Sequence, residues 1–113
     1  MHESSIVSSL LEICEENAKK EGVEKITKVE VKIGVLSGVE PDLLQRAFDT
    51  FKEKTICDGA EFVMNIQKIV IYCNECKKEF TLEKNEFVCP TCKSFDIETR
   101  DGKDMYLMRL EME

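Results

Sequence analysis

Two CxxC pairs, Cys73-Asn74-Glu75-Cys76 and Cys89-Pro90-Thr91-Cys92, stand twelve residues apart and constrain this chain more than any other feature. Four thiolates hold one zinc ion tetrahedrally at about 2.3 Å each, and two such turns bring their sulfurs together from opposite sides. In each turn the backbone N–H groups after the first cysteine can donate to its sulfur. Lys77, Lys78 and Lys93 follow directly and would offset the surplus negative charge of a four-thiolate site. A redox dithiol does not fit the context, because a second pair stands at ribbon spacing and no βαβ unit surrounds either one. In a reducing compartment such spacing means metal before disulfide. With every position filled by thiolate, the expected site is structural, since a catalytic zinc keeps one position open. The intervening segment has only short apolar pieces, Phe80, Leu82 and Phe87, too few to hold it together without a metal. The other two cysteines, Cys14 and Cys57, read as small packing residues.

Charge and composition exclude whole classes of partner. The 16 Lys and Arg stand against 23 Asp and Glu, giving a net charge of −7, and no local basic patch reverses it. An acidic surface repels phosphate backbones, so nucleic acid is not an expected partner. With 42% hydrophobic residues, 5 Gly and 2 Pro in 113 positions, the chain has material for one modest core and too few breakers for a linker. No apolar run approaches the roughly 18 residues of a spanning helix, and no basic leader precedes an apolar stretch. No membrane contact and a cytoplasmic location are therefore expected.

Periodicity outlines the elements. Ile6, Val7, Leu10, Leu11, Cys14 and Ala18 recur at three- and four-residue steps, opposite Glu12, Glu15, Glu16, Lys19 and Lys20. This predicts an amphipathic helix of about four turns that starts almost at residue 1. Ser4 or Ser5 is the expected cap and Gly22 the expected left-handed terminator. From Thr27 to Ile33, Val29, Val31 and Ile33 alternate with lysine and glutamate, as in a half-buried strand. A loop at 34–40 leads to Pro41, suited to the first turn of a second helix whose apolar stripe is Leu44, Ala47, Phe48 and Phe51. The alternation from Phe62 through Cys73 reads as one longer strand. Tyr106, Met108, Leu110 and Met112, set against Leu107, Arg109 and Glu111, give a final strand that needs the N-terminal sheet as its partner. The expected fold class is α+β: a small sheet with two helices, residues 1–69 completed by a strand at 103–113, interrupted by a zinc-ribbon-like lobe at 70–102.

The chain opens Met1-His2-Glu3, and His2 is its only histidine. A bulky second residue protects the initiator methionine from removal and leaves a free α-amine one residue before an imidazole. The amine, the His2 amide and the His2 ring can close adjacent chelate rings, and the Glu3 amide can complete a square of four nitrogens. Such a field suits Ni(II) or Cu(II), and zinc does not need it. On spacing alone the bland alternative stands beside this one: an end residue in solvent. The helix that follows at once anchors the terminus.

Taken in order, these residues resemble the hydrogenase-maturation nickel metallochaperones of the HypA/HybF family. The resemblance covers nearly the whole chain: Met1-His2-Glu3 with its helix, Ile33-Gly34, Leu36-Ser37-Gly38-Val39 before Pro41, Ala47-Phe48-Asp49, and the paired CxxC motifs with Cys89-Pro90. It implies a Ni(II) site on the Met1 amine, His2 and the Glu3 backbone, within a nickel-binding domain built from the sheet and two helices. It implies a separate structural zinc on Cys73, Cys76, Cys89 and Cys92. Glu40 falls where some members carry an acidic residue near the nickel, and equally where a charge would meet a helix dipole. The implied partners are a GTP-hydrolysing nickel maturation protein and the large subunit of [NiFe]-hydrogenase, with a urease accessory protein in some bacteria. Val35, where Glu is frequent, and Asp104, where Glu is common, depart from the pattern and bear on the detail of partner contacts. The rival reading is a zinc-ribbon protein-interaction adaptor without nickel delivery. An enzyme is not expected, for want of an open metal site or a nucleophile motif.

Overall fold

The computed structural model describes residues 2–84 and 86–113. Helix α1 (Glu3–Glu21) begins two residues earlier than a Ser4 cap would allow and three earlier than a Ser5 cap would. Its cap is His2, in extended conformation with no side-chain capping bond, and the His2 carbonyl accepts the N–H groups of Ser5 and Ile6 at 3.1 and 3.2 Å. At the other end Gly22 turns left-handed at φ 68°. The Val23 N–H then reaches back to the Ala18 carbonyl at 3.0 Å, which closes the helix as expected.

Strand β1 (Ile26–Gly34) lies at the centre of a three-stranded sheet. It pairs in parallel with β2 (Glu61–Gln67), the connection running through α2 (Pro41–Phe51), and antiparallel with β6 (Met105–Met112). Val29, Val31 and Ile33 of β1 point into one core with Val7, Leu10, Cys14 and Ala18 of α1 and Leu44 and Phe48 of α2. Phe48 stacks on Phe62 of β2 with ring centroids 4.3 Å apart. Phe51, expected in the apolar stripe, ends α2 with 44% of its surface exposed, because α2 stops before another turn can cover it.

The long strand expected from Phe62 to Cys73 is two strands. β2 ends at Gln67 in the first sheet, and β3 (Ile69–Cys73) starts beyond Lys68 as the centre of a second sheet, between β4 (Lys78–Leu82) and β5 (Ile97–Asp101). Both pieces are apolar and alternating, so the pattern runs unbroken through a change of sheet. A small cluster of Ile69, Ile71 and Leu82, with Phe80 and Ile97 against it, is the apolar content of this second sheet. The radius of gyration is 17.4 Å. A single compact body of this length would have about 13 Å, so the two sheets make an elongated molecule.

The final strand joins the first sheet, but its faces differ from the expected ones. Met105 and Leu107 face the core, whereas Tyr106 and Met108 are 49% and 53% exposed. The register shifts opposite Glu30 and Val31, which skips Met108. This bulge reverses the phase, so Leu110 and Met112 point inward beyond it.

The two sheets meet at a tight backbone crossing. The N–H of Val35 donates to the Gln67 carbonyl at 3.0 Å and that of Leu36 to the Gly102 carbonyl at 2.9 Å, so one loop holds both connections. Lys32 Nζ of β1 reaches Asp101 Oδ2 at 2.8 Å across the same junction. A Cβ on Gly34 would stand 2.4 Å from the carbonyl carbon and oxygen of Gly102, backbone atoms with nowhere to go. Gly34→Ala is therefore expected to destabilise the protein by at least about 2 kcal/mol, read as a lowered denaturation midpoint. An unchanged midpoint would contradict the crossing.

Candidate metal centres

β3 delivers Cys73, the turn before β4 carries Cys76, and the segment before β5 carries Cys89 and Cys92. All four sulfurs lie within 4.8 Å of one another. Cys73 Sγ stands 3.6 Å from Cys92 Sγ, and Cys76 Sγ 3.8 Å from Cys89 Sγ. A tetrahedron of sulfurs about 2.3 Å from a central zinc has edges of about 3.8 Å, so the two short pairs already match that ion and the widest separation closes onto it by at most about 1 Å. Each CxxC turn sends an N–H to its first sulfur: Cys76 to Cys73 and Cys92 to Cys89, both at 3.4 Å.

The turns are closed by the residues that follow them. Lys77 N–H donates to the Cys73 carbonyl at 2.7 Å and Lys93 N–H to the Cys89 carbonyl at 3.0 Å. Both lysines sit at positive φ, 56° and 64°, a conformation that costs a side-chain-bearing residue energy and that the closed turn imposes. The second turn is tied to the first by Asn74, whose N–H donates to the Asp96 carbonyl and whose amide side chain donates to the Asp96 carboxylate, both at 3.0 Å. Cys73 and Cys89 are buried and Cys92 is exposed, so one side of the cluster opens to solvent. Burial pushes the Cys89 thiol up, but the amides of Cys92 and Thr91 and the neighbouring thiols outweigh it and bring it to about 6. Cys76 is pushed up to about 12, chiefly by the Cys92 thiol.

At the other end of the molecule, His2 is exposed and Glu3 is buried at 9% exposure. The Met1 amine lies outside the described residues. Glu3 reaches across to the second helix, where its Oε2 accepts the N–H of Glu40 at 3.2 Å. Glu40 is itself the cap of α2, with an extended backbone, an exposed side chain and no side-chain capping bond. The carboxylate at the start of α2 is thus supplied by Glu3, where it meets the positive end of the helix dipole. Sequence reading assigned Glu3 only a backbone role. Its partner is 37 residues away, and no local pattern announces it.

The amide of Glu40 holds the Glu3 carboxyl below its ordinary value of 4.5, against the opposing effect of burial. A carboxylate lowered on folding favours the folded state at pH above its unfolded value, and that contribution disappears as pH falls through the lowered value. Glu3→Gln is therefore expected to lower stability at neutral pH and to flatten the loss of stability between about pH 5 and pH 3. Denaturation midpoints of both proteins across that range would check it, and parallel acid limbs would contradict it. Among the described residues no helix is long and apolar enough to cross a membrane.

Comparison with known proteins shows the family of the chain. Residues 1–112 match the family described as hydrogenase/urease nickel incorporation, metallochaperone, HypA. The hydrogenase maturation factor HypA of Shewanella baltica is 53% identical over 113 residues, covering 100% of this chain and 97% of that protein. The factor of the same name from Aquifex aeolicus is 49% identical, covering 100% and 98%. Among solved structures, the Ni metallochaperone HypA from Helicobacter pylori has a TM-score of 0.70 at 38% identity, covering 99% of this chain and 97% of its own. On the strength of a match that spans both the N-terminal helix and the four-cysteine cluster, this chain belongs to the HypA family of nickel-incorporation metallochaperones.

Proposed function

We propose that the chain carries one Ni(II) ion as cargo at its N-terminus and passes it on for assembly of [NiFe]-hydrogenase. The ligands are the Met1 amine, the amide and ring nitrogens of His2, and the Glu3 amide, with Glu40 beside them as a further ligand or neighbouring charge. The observation that supports this reading is the position of His2. It is exposed and caps a helix that begins at Glu3. The Glu3 amide therefore belongs to the first turn, whose N–H groups have no carbonyl partner within the helix. An ion can take these nitrogens without breaking the helical ladder. Because they must lose protons to bind, affinity falls as the solution is acidified.

In this reading Cys73, Cys76, Cys89 and Cys92 hold a structural Zn(II) that stays, while nickel moves. An exposed terminal site exchanges ligands stepwise, which a four-thiolate cage does not do readily. The chain divides into a nickel-binding unit, 1–69 with 103–113, and a zinc lobe, 70–102. It acts in the cytoplasm as a carrier and catalyses no reaction of its own. The nickel passes through a GTP-hydrolysing maturation protein to the hydrogenase large subunit, with a urease accessory protein as a second recipient. Nickel-loaded protein mixed with that GTP-hydrolysing partner, then separated, tests the reading. Nickel recovered with the partner and zinc retained by this chain is expected. Nickel that stays put, or zinc that moves, would leave a zinc-ribbon adaptor.

A further inference from the structure

The first sheet keeps an open edge at β6, which among the described residues pairs with β1 alone. Bonded pairs alternate along an antiparallel ladder. The Gly34 N–H donates to the Asp104 carbonyl at 3.0 Å, and two residues further on the register sets Lys32 opposite Tyr106, the next bonded pair. The N–H and C=O groups of Met105 and Leu107 therefore point away from β1, along the open side. Sheet edges are ordinarily blunted by lysine, proline or a bulge. Met105, Tyr106 and Leu107 offer neither charge nor proline, and the bulge comes only at Met108.

The same residues wall a groove. Between β6 and one flank of α1 lies a cleft of about 490 Å3, a size that admits a ligand, with Met105 and Leu107 on one side and Ile6, Leu10 and Ile13 on the other. Its border is acidic. Asp104 stands at one end, and Glu12 and Glu16 follow Ser5 and Ser9 along the exposed flank of α1 at three- and four-residue steps. Among the described residues no lysine or arginine lines the cleft, and Arg109, the one basic residue of β6, is paired with Glu111 at 3.4 Å.

We propose that this edge takes an extended segment of a partner protein as an added antiparallel strand, with apolar residues at alternate positions and lysine or arginine flanking them. Residues directly opposite in a ladder share a face. The segment's residues opposite Met105 and Leu107 thus turn their side chains into the groove, against Ile6, Leu10 and Ile13. Its basic residues meet Asp104 at one end and Glu12 and Glu16 along the helix. Main-chain bonds supply affinity, and the groove selects the side chains. The cleft ends at Ser37 and Val39, next to Glu40, whose N–H is held by Glu3. An antiparallel segment therefore brings its C-terminal end beside the terminal nitrogens. Binding of the segment stands without nickel, whereas its use in handing nickel on rests on the nickel reading.

The test pans the full-length, zinc-loaded protein against a random heptapeptide display library, and the enriched peptide is then synthesised with blocked ends. Apolar residues two apart, flanked by lysine or arginine, are expected. Amide exchange read by NMR should slow at least about tenfold at Met105 and Leu107 on binding and change little at Tyr106, whose N–H already faces β1. Ile13→Lys should weaken binding at least about tenfold. Glu12→Lys combined with Glu16→Lys should weaken it roughly threefold or more, an effect that shrinks in salt. All three positions are exposed, so these variants keep the fold. His2→Ala should bind the peptide unchanged, which separates a failure of the nickel reading from a failure of this one. Enrichment of acidic peptides, or of peptides without the alternation, would overturn the proposal. So would no enrichment, or binding that leaves exchange at Met105 and Leu107 unchanged. A dimer that protects these two amides without peptide would assign the edge to a second copy and overturn it as well.

Discussion

Replacing Cys89 with serine is expected to release the metal from the four-cysteine cluster and to unfold the second sheet, while α1, α2 and the first sheet keep their structure. Structural zinc contributes on the order of 10–16 kcal/mol to folding of small domains of this kind. The second sheet has little to set against that loss. Its buried apolar side chains are Ile69, Ile71 and Leu82. At roughly 1.5–3 kcal/mol each they fall far short of the ~1–2 kcal/mol needed to order each of about thirty residues. The first sheet has its own core, built on Val29, Val31, Leu44 and Phe48, each 0% exposed. Amide spectra should accordingly lose the dispersed signals of residues 70–101 and retain those of residues 3–66, with no zinc in the purified protein. A cysteine-bearing half that stays folded without metal would contradict this account.

The second large effect is expected at the opposite end. His2→Ala should lower nickel affinity by at least about a hundredfold, because it removes the ring nitrogen that closes a chelate ring and leaves the remaining nitrogens without their anchor. The fold should not register the change. The His2 side chain is exposed and makes no capping bond, so its loss costs α1 nothing beyond a solvated group. Competition against a chromophoric chelator would read the affinity, and an unchanged circular dichroism spectrum would show that the loss is local. Full nickel affinity in this variant would move the site away from the N-terminus.

How much of this was legible in the sequence depends on how local each determinant is. The four cysteines carry their geometry in their spacing, and the sulfur cluster is what two CxxC turns produce. α1 with its Gly22 terminator, Pro41 at the start of α2, and β1 were equally legible, because periodicity and end residues act within a few positions. Features set by distant contacts were not. Phe62 through Cys73 reads as one strand because both halves are alternating and apolar, and only their different neighbours, β1 on one side and β4 with β5 on the other, reveal the break at Lys68. Tyr106 and Met108 read as sharing one face of β6 with Leu110 and Met112, and they do not, since the bulge at Met108 leaves no mark in composition. The link from Glu3 to the Glu40 amide joins two helices and exists only once they pack. Neither Lys32 nor Asp101 stands out in the sequence, yet their ion pair crosses between the sheets.

The central claim is that nickel is carried on the terminal nitrogens, apart from the four thiolates. The most direct measurement is a nickel titration of zinc-loaded protein with its Met1 amine free, beside the same protein with that amine acetylated. One nickel per chain for the free amine and none for the acetylated form, with zinc unchanged in both, is the predicted result. Equal nickel binding by the two forms, or nickel taken up only as zinc leaves, would contradict it.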